Sequence, residues 1–455
     1  MERDAQHAGS TAGASRRDFL KQSALTAAGA ITAASLFRTP VYGQRQAPFP
    51  ASVLGANDRI VCGLIGVGGQ GFHGHVDGLV KHGAEQDAVG AAVCDLWSKR
   101  VDRAREALQL DGANGCDDYR RVLDRPDIDA VFIGTVDHWH APIAIAALQA
   151  GKHVYVEKPV TRYLPEAFQL YDAAREAGKV VQVGSQYCSE GKWHRAAELV
   201  RAGRIGPLVL AQDSYCRNSP NGEWNYDIEP DLTPETLDWK TWLGPVRARP
   251  FSADHYFRWR KYYPYCAGIL GDLLAHRIHP LLLATGAPEY PARVACIGTR
   301  RITPDRTVPD NTQLLVEFPS GLSMIVLGST VNEQGLGQVI RGHEGTLYFS
   351  GNALELRPER PFADLADPET LQDLQPGAEV HVHMANFFEA IRAGDPARAN
   401  GNMELAIRAQ TIISMAEMSE RLGQMLFFDE SKRRIRNGSG KTFQPLNYRG
   451  EAVVA

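Results

Sequence analysis

The sequence predicts an α/β protein in which a doubly wound parallel sheet precedes an α+β domain with a large, mostly antiparallel, open sheet. Three observations support this. A short apolar run, Ile60 to Ile65, ends in Gly66-x-Gly68-x-x-Gly71. From Asp58 to Val183, apolar runs alternate with stretches of helical period, as parallel strands joined by helices do. Past Gly184 the texture changes, and several later runs read as antiparallel strands.

The segment before the sheet stands apart. Ser15-Arg16-Arg17-Asp18-Phe19-Leu20-Lys21 reads as a twin-arginine export signal, and an Ala- and Thr-rich stretch follows from Ser23 to Phe37. That stretch is too short and too mildly apolar for a permanent membrane span. Val41-Tyr42-Gly43 offers small residues for cleavage, and Ala30 to Ala34 is a second candidate. Residues 1–43 are therefore expected to be a signal peptide for the twin-arginine machinery, with a periplasmic or otherwise exported destination. Residues 44–57 are expected to be a linker.

Within the first domain, residues 58–184, the elements follow in order. Ile60 to Ile65 is a buried parallel strand, because it is continuously apolar rather than alternating. Ala88 to Cys94 is the second apolar run. A helix is expected from Ser98 to Leu110, a strand from Asp127 to Thr135, and a helix from Ala141 to Ala150 with Gly151 as its C′ residue. His153 to Val156 is a strand, Pro165 to Ala177 a helix ended by Gly178, and Val180 to Val183 the last strand of the domain. The second domain, 185–430, opens with a helix from Trp193 to Ala202 and a strand from Leu208 to Ser214. A polar and aromatic stretch runs from Tyr215 to Tyr265. Strands are expected at 294–298, 312–318, 323–327, 338–342 and 345–349, and helices at 384–393 and 403–422. Residues 431–455 read as a tail.

Composition narrows the function. A net charge of −4, with no basic block beyond Lys432-Arg433-Arg434, carries no footprint for nucleic acid. The seven cysteines are scattered and form no Cys-x-x-Cys pair, so neither a disulfide framework nor a zinc ribbon is read. Cys62, Cys94 and Cys296 sit inside apolar runs, where a thiol behaves as a small hydrophobe.

The glycine loop points to a dinucleotide. Gly66 permits the tight turn, Gly68 lets backbone approach a pyrophosphate, and Gly71 lets the helix pack on the strand. Gln70 lies inside the same loop, and the helix start offers free N–H groups to phosphate. Asp95 closes the second run at roughly 20 residues beyond the glycines, where an acid hydrogen-bonds ribose hydroxyls. That acid would repel a 2′-phosphate, so NAD is expected rather than NADP, with Arg100 nearby as the dissenting charge. The twin-arginine route carries folded proteins, which suits a chain that captures its nucleotide in the cytoplasm.

Four motifs then occur in order: the glycine loop, Thr135-x-Asp137-His138-Trp139-His140, Glu157-Lys158-Pro159 and Gly271-Asp272-x3-His276. Together they resemble the Gfo/Idh/MocA family, named for glucose–fructose oxidoreductase, inositol dehydrogenase and a rhizopine-catabolism protein. The likeness covers about residues 58–430. The segment Leu237-Asp238-Trp239-Lys240-x-Trp242-Leu243-Gly244, with Phe257-Arg258-Trp259, is similar to an exported branch of predicted oxidoreductases. The resemblance implies a Rossmann domain, a catalytic Lys158, a Glu157 near the cofactor, and a nicotinamide pocket lined by the Thr135, His138 and His140 loop. It also implies association through the open face of the C-terminal sheet, as a homodimer or homotetramer.

The residue chemistry fits that reading. Pro159 ends the strand ladder and holds Lys158 at the carboxyl end of the sheet, where open α/β sheets bind ligands. Its ammonium would stabilise a developing alkoxide. Asp272 and His276 are four apart, so they share one helix face, with His276 as the base and Asp272 orienting it or contacting substrate. His279 would share that face, which leaves open a metal triad of Asp272, His276 and His279; His140 reads alternatively as a cap of the Ala141 helix. The aromatic stretch suits a sugar, with Arg258, Trp259 and Tyr263, and His279 beyond it, as substrate contacts. The main expectation is an NAD-dependent oxidoreductase for a sugar, glycoside or polyol hydroxyl, with tightly held nucleotide. The runner-up is a glycoside hydrolase or lyase that oxidises its substrate transiently, and a non-catalytic binding protein is the third reading.

Overall fold

The computed structural model describes residues 59–364 and 367–448. The expected signal peptide and linker lie outside the described residues. Six parallel strands form the first sheet: β1 Ile60–Ile65, β2 Ala88–Cys94, β3 Gly115–Cys116, β4 Ala130–Ile133, β5 His153–Val156 and β6 Val181–Val183. Their order is β3-β2-β1-β4-β5-β6, so the winding reverses between β1 and β4. That reversal opens a crevice at the carboxyl ends of the strands, the place where such sheets take ligands. Every residue of β4 is buried, as a strand covered on both faces requires. The short β3 carries no apolar run, which is why the sequence reading passes over it.

The second sheet has eleven strands in the order β14-β13-β12-β11-β7-β10-β9-β8-β15-β16-β17. They are β7 Leu208–Cys216, β8 Arg293–Thr299, β9 Asn311–Glu317, β10 Ser323–Ser329, β11 Val339–Gly342, β12 Gly345–Ser350, β13 Ala353–Pro358, β14 Glu369–Leu371, β15 Leu426–Asp429, β16 Arg434–Asn437 and β17 Thr442–Phe443. All neighbours run antiparallel except β7 and β10. The predicted tail from 431 is corrected here: β16 and β17 extend the sheet, with Ile435 and Phe443 buried.

A further correction concerns the helix expected from Ala141. It begins at Asp137 and runs to Gln149, so His138, Trp139 and His140 are helical rather than part of a strand-end loop. Pro142 removes the donor for the His138 carbonyl, and the Tyr448 hydroxyl donates to it instead (3.4 Å).

The long helix Met403–Leu422 ties the two sheets together. It packs against β8 and against helices Leu164–Ala177 and Ala275–Ala284, and most of it is buried. Its Glu417 accepts two bonds from Arg162, from Nη1 at 2.7 Å and Nη2 at 2.8 Å, with both side chains buried. Arg162 also donates to the Tyr263 carbonyl. It sits just past Lys158-Pro159, so this pair anchors the segment that carries the lysine. Removing one partner strands the other charge. Arg162→Met is therefore expected to lower unfolding free energy by about 3–5 kcal/mol, read from denaturant midpoints; a loss under about 1 kcal/mol would assign the pair no anchoring role.

Candidate active site

A cavity of about 1680 Å³ lies between the carboxyl ends of β1, β2 and β4 and the aromatic segment of the second domain. The glycine loop forms one end. Gly66 has φ +81°, and a Cβ there would stand 2.6 Å from the Thr135 nitrogen. A Cβ on Gly71 would collide with the Gly66 carbonyl oxygen. The helical run that follows, a π turn at Gly71–Val76 and then α-helix Asp77–His82, has no side-chain cap at its start. The Phe72 N–H already donates to the Gly68 carbonyl (2.8 Å), so the N–H groups ahead of it are the ones left for an anion.

Asp95 lines the same end. Its Oδ2 accepts from the Val67 N–H (3.0 Å) and its Oδ1 from the Trp97 N–H (3.1 Å). It therefore braces the glycine loop, and its remaining lone pairs are free for hydroxyl donors. Arg100 Nη1 lies 4.0 Å from Asp95 Oδ2, and its guanidinium covers Gly68. A cradle closed to any Cβ, an uncapped helix start and an acid at the end of β2 together fit a dinucleotide.

Glu157 is buried in mid-cavity. It accepts from His75 Nε2 (3.0 Å) and Gln70 Nε2 (3.3 Å). Burial pushes its carboxyl up, but the His75 hydrogen bond and the charges of His75 and Lys158 outweigh burial and hold it below the usual carboxylate range. His75 was not singled out by the sequence. It lies four residues past Gly71, on a turn whose periodicity only the structure reveals.

The centre of the site is Lys158. Its Nζ donates to Asp272 Oδ1 (2.8 Å) and to the Asp272 carbonyl (2.7 Å). Arg260 Nε donates to the same Oδ1 (3.0 Å), and Trp224 Nε1 to Oδ2 (2.9 Å). Burial works against the Asp272 carboxylate, yet Lys158 and Arg260 hold it far below the usual range, so it stays ionised. Asp272 thus orients Lys158, not His276, which corrects the expected carboxylate–imidazole pair. Leu270–Leu274 is a π turn, and α-helix resumes only at Ala275. Both residues still line the cavity, but the carboxylate's bonds go to Lys158, Arg260 and Trp224 and none to the imidazole.

His276 lines the cavity beside Lys158 and Asp272. Its ring meets Tyr187 and Tyr215 edge-on, with centroids 5.3 and 5.9 Å away. Burial, then the Lys158 charge, pulls it well below the ordinary histidine range, so the imidazole is neutral. A neutral imidazole and an ammonium on one wall can take a proton from a hydroxyl and hold the oxygen left behind.

Thr135, His140 and Trp259 also reach the cavity. His140 does not cap the helix. Its Nδ1 donates to the Pro159 carbonyl (2.8 Å), and its Nε2 lies 3.3 Å from the Thr135 carbonyl. Other expected site residues stand elsewhere. His138 is buried among Trp242, Tyr265 and Tyr448, and its Nε2 donates to the Trp242 carbonyl (2.8 Å). His279 donates from Nδ1 to the Ala275 carbonyl (2.8 Å) and does not converge with Asp272 and His276; among the described residues no group of three His, Cys, Asp or Glu is placed to hold a metal. Arg258 is taken by the Tyr226 carbonyl and Asp254, and Tyr263 by Glu420. Arg260 takes the place expected of Arg258. Nothing in Arg258-Trp259-Arg260 favours one arginine over the other before the chain is folded. Of the aromatic residues, Trp224 and Tyr265 are buried, whereas Tyr226 and Trp259 face the cavity.

Burial lowers His138 to about 3 and His279 to about 4, and His383 likewise to about 4. Unfolded histidine titrates near ~6.5, so below that pH the unfolded chain binds more protons and stability falls. The histidine contribution is whole above pH ~6.5 and drains as pH drops toward 4. Buried Asp137, Glu166 and Asp213, raised by burial to about 7, about 7 and about 6, work the other way in the same window. The histidine part is therefore read by difference. The parent's denaturant midpoint should fall more between pH ~6.5 and ~4 than that of His279→Gln, and equal falls would show the ring charged or exposed.

Over residues 60–185 the chain matches the Gfo/Idh/MocA oxidoreductase family, NAD-binding Rossmann fold, and over 221–443 that family's C-terminal alpha/beta domain. A curated relative, glycosyl hydrolase family 109 protein 2 of Shewanella sp. strain ANA-3, is 32% identical over 215 residues, covering 45% of this chain and 46% of the relative. The chain spans about half the length of the curated relatives it matches. Among solved structures, an oxidoreductase domain protein from Kribbella flavida superposes with a TM-score of 0.64 at 23% identity, covering 82% of this chain and 100% of that one. A levoglucosan dehydrogenase solved with NADH and levoglucosan gives 0.60 at 21%, covering 81% and 99%.

Proposed function

The chain belongs to the Gfo/Idh/MocA oxidoreductase family, and from that premise we propose that it oxidises a secondary hydroxyl of a sugar, glycoside or polyol with tightly held NAD. One observation carries this: the Lys158 ammonium and the neutral His276 imidazole line one cavity, and the glycine loop opens into that same cavity. NAD, when bound, supplies the hydride acceptor. Gly66, Gly68, Gly71 and Asp95 would hold its pyrophosphate and ribose, and Thr135, His140 and Glu157 border the chamber beyond.

The protein's own groups divide the remaining work. His276 takes the hydroxyl proton, because burial keeps it neutral and ready to accept. Lys158 donates to the oxygen as negative charge develops, and Asp272 aims it. Arg260 keeps Asp272 ionised, so the lysine keeps its counter-charge. Tyr226 and Trp259 give the cavity amphipathic rings, which suit the mixed faces of a sugar. The levoglucosan bound by the neighbouring dehydrogenase supports a carbohydrate.

The sequence of 1–43 supports export by the twin-arginine route, and retention of the nucleotide would then replace a dissolved supply. The open sheet face, with Ile297 and Leu315 exposed, supports assembly into a homodimer or homotetramer. The name of the Shewanella relative favours a second reading, cleavage of a glycoside with no net reduction of the nucleotide. Purified protein given candidate glycosides and no added NAD separates the two. NADH accumulating on the protein supports oxidation, whereas aglycone release without net NADH supports cleavage.

Lys158→Ala should lower turnover by about 10²-fold or more while leaving bound NAD in place; unchanged turnover would remove Lys158 from the mechanism. Asp95→Ala should shed nucleotide during purification, measured as NAD per protein after denaturation, and retention equal to the parent's would contradict its ribose role.

A further inference from the structure

A second chemistry lies at the other end of the cavity, away from Lys158. Cys94, the last residue of β2, and Cys116, the last of β3, are direct partners in the parallel register. Registered residues on neighbouring parallel strands project from the same face, and the strands run about 4.8 Å apart. A disulfide spans Cα atoms about 4.4–6.8 Å apart, so the backbone already meets its main demand. The Cys116 Sγ lies 3.4 Å from the Asp118 carbonyl and 3.7 Å from the Val93 carbonyl, which keeps it beside the end of β2. Both line the cavity where Asp95 stands, and the Asp95 N–H donates to the Cys116 carbonyl (3.2 Å).

Access differs between the two. Cys94 is buried, and Cys116 is only partly so. The neighbouring Cys94 side chain lowers the Cys116 thiol against the effect of burial, and Arg121 adds to it. Cys116 is therefore the nucleophile and Cys94 the resolving thiol.

We propose that Cys94 and Cys116 form a reversible dithiol–disulfide site at the Asp95 end of the cavity, oxidised by small-molecule disulfides. Cys116 loses its proton and attacks one sulfur of R–S–S–R, and the departing R–S⁻ takes up a proton to leave as R–SH. Cys94 then attacks the Cys116 sulfur of the mixed disulfide, and its proton leaves with the second R–SH. Two protein thiols are oxidised, one small disulfide is reduced to two thiols, and the charges balance. The link staples the ends of β2 and β3, and with them Asp95 and the Asp117–Tyr119 loop, both on the cavity wall. Bound NAD is therefore released more slowly from the oxidised protein. The thiol chemistry is independent of the sugar reading, and only the effect on release rests on the nucleotide assignment.

The test treats the folded full chain with oxidised glutathione, alkylates the remaining thiols and maps peptides by mass. A Cys94–Cys116 linked peptide, two hydrogens lighter and reversed by dithiothreitol, is expected. It should vanish in Cys116→Ser and persist in Cys216→Ser. NAD release, followed by dilution, should slow several-fold on oxidation in the parent and not in Cys116→Ser. Both cysteines alkylated after treatment, or glutathione left on Cys116 with no link, would overturn the site. A formed link with unchanged release would overturn its effect on the nucleotide.

Discussion

The architecture depends on one buried carboxylate with three donors. Asp272 accepts from Lys158, Arg260 and Trp224. A buried carboxylate is costly unless paired and fully hydrogen-bonded. Here the donors converge from two segments, and Asp272 sits on a third: Lys158 follows β5 of the first sheet, whereas Trp224 and Arg260 come from the aromatic segment. Satisfying one carboxylate therefore fixes three chain segments against each other, and it does so at the mouth of the crevice where the strand order reverses. The Arg162–Glu417 pair fastens the same lysine-bearing segment from behind. Together the two ion pairs make the position of the lysine a property of the whole packed unit rather than of a flexible side chain.

The electrostatics around that pair divide the roles. Burial first, and then the Lys158 charge, keep the His276 imidazole neutral. At the other end, His75 and Gln70 hold Glu157 ionised under the glycine loop. Neutral base and fixed anions are thus set by local partners, not by overall charge, which at −4 says little.

Much of this was legible in the sequence, and the failures share causes. Continuous apolar runs and the glycine spacing identify β1, β2, β4 and β5 because buried parallel strands need such runs. The Glu157-Lys158-Pro159 step places the amine at the sheet end, where the structure has it. What sequence spacing could not convey is where the carboxylate would be spent: Asp272 bonds Lys158, Arg260 and Trp224, not His276. Nor could it choose between Arg258 and Arg260, or see that His138 and His279 each spend one ring nitrogen on a carbonyl inside the core. The strands at 434–437 and 442–443 are short and polar on one side, so they read as a tail until the sheet edge that receives them is known.

The central claim is that Asp272 acts on turnover through Lys158. A double-mutant cycle on turnover tests it, using Lys158→Met, Asp272→Asn and the pair in NAD-loaded protein. The account predicts strong non-additivity, with the double variant little worse than Lys158→Met and a coupling of about 2 kcal/mol or more. Losses that simply add would show that the two residues act separately and would contradict the account.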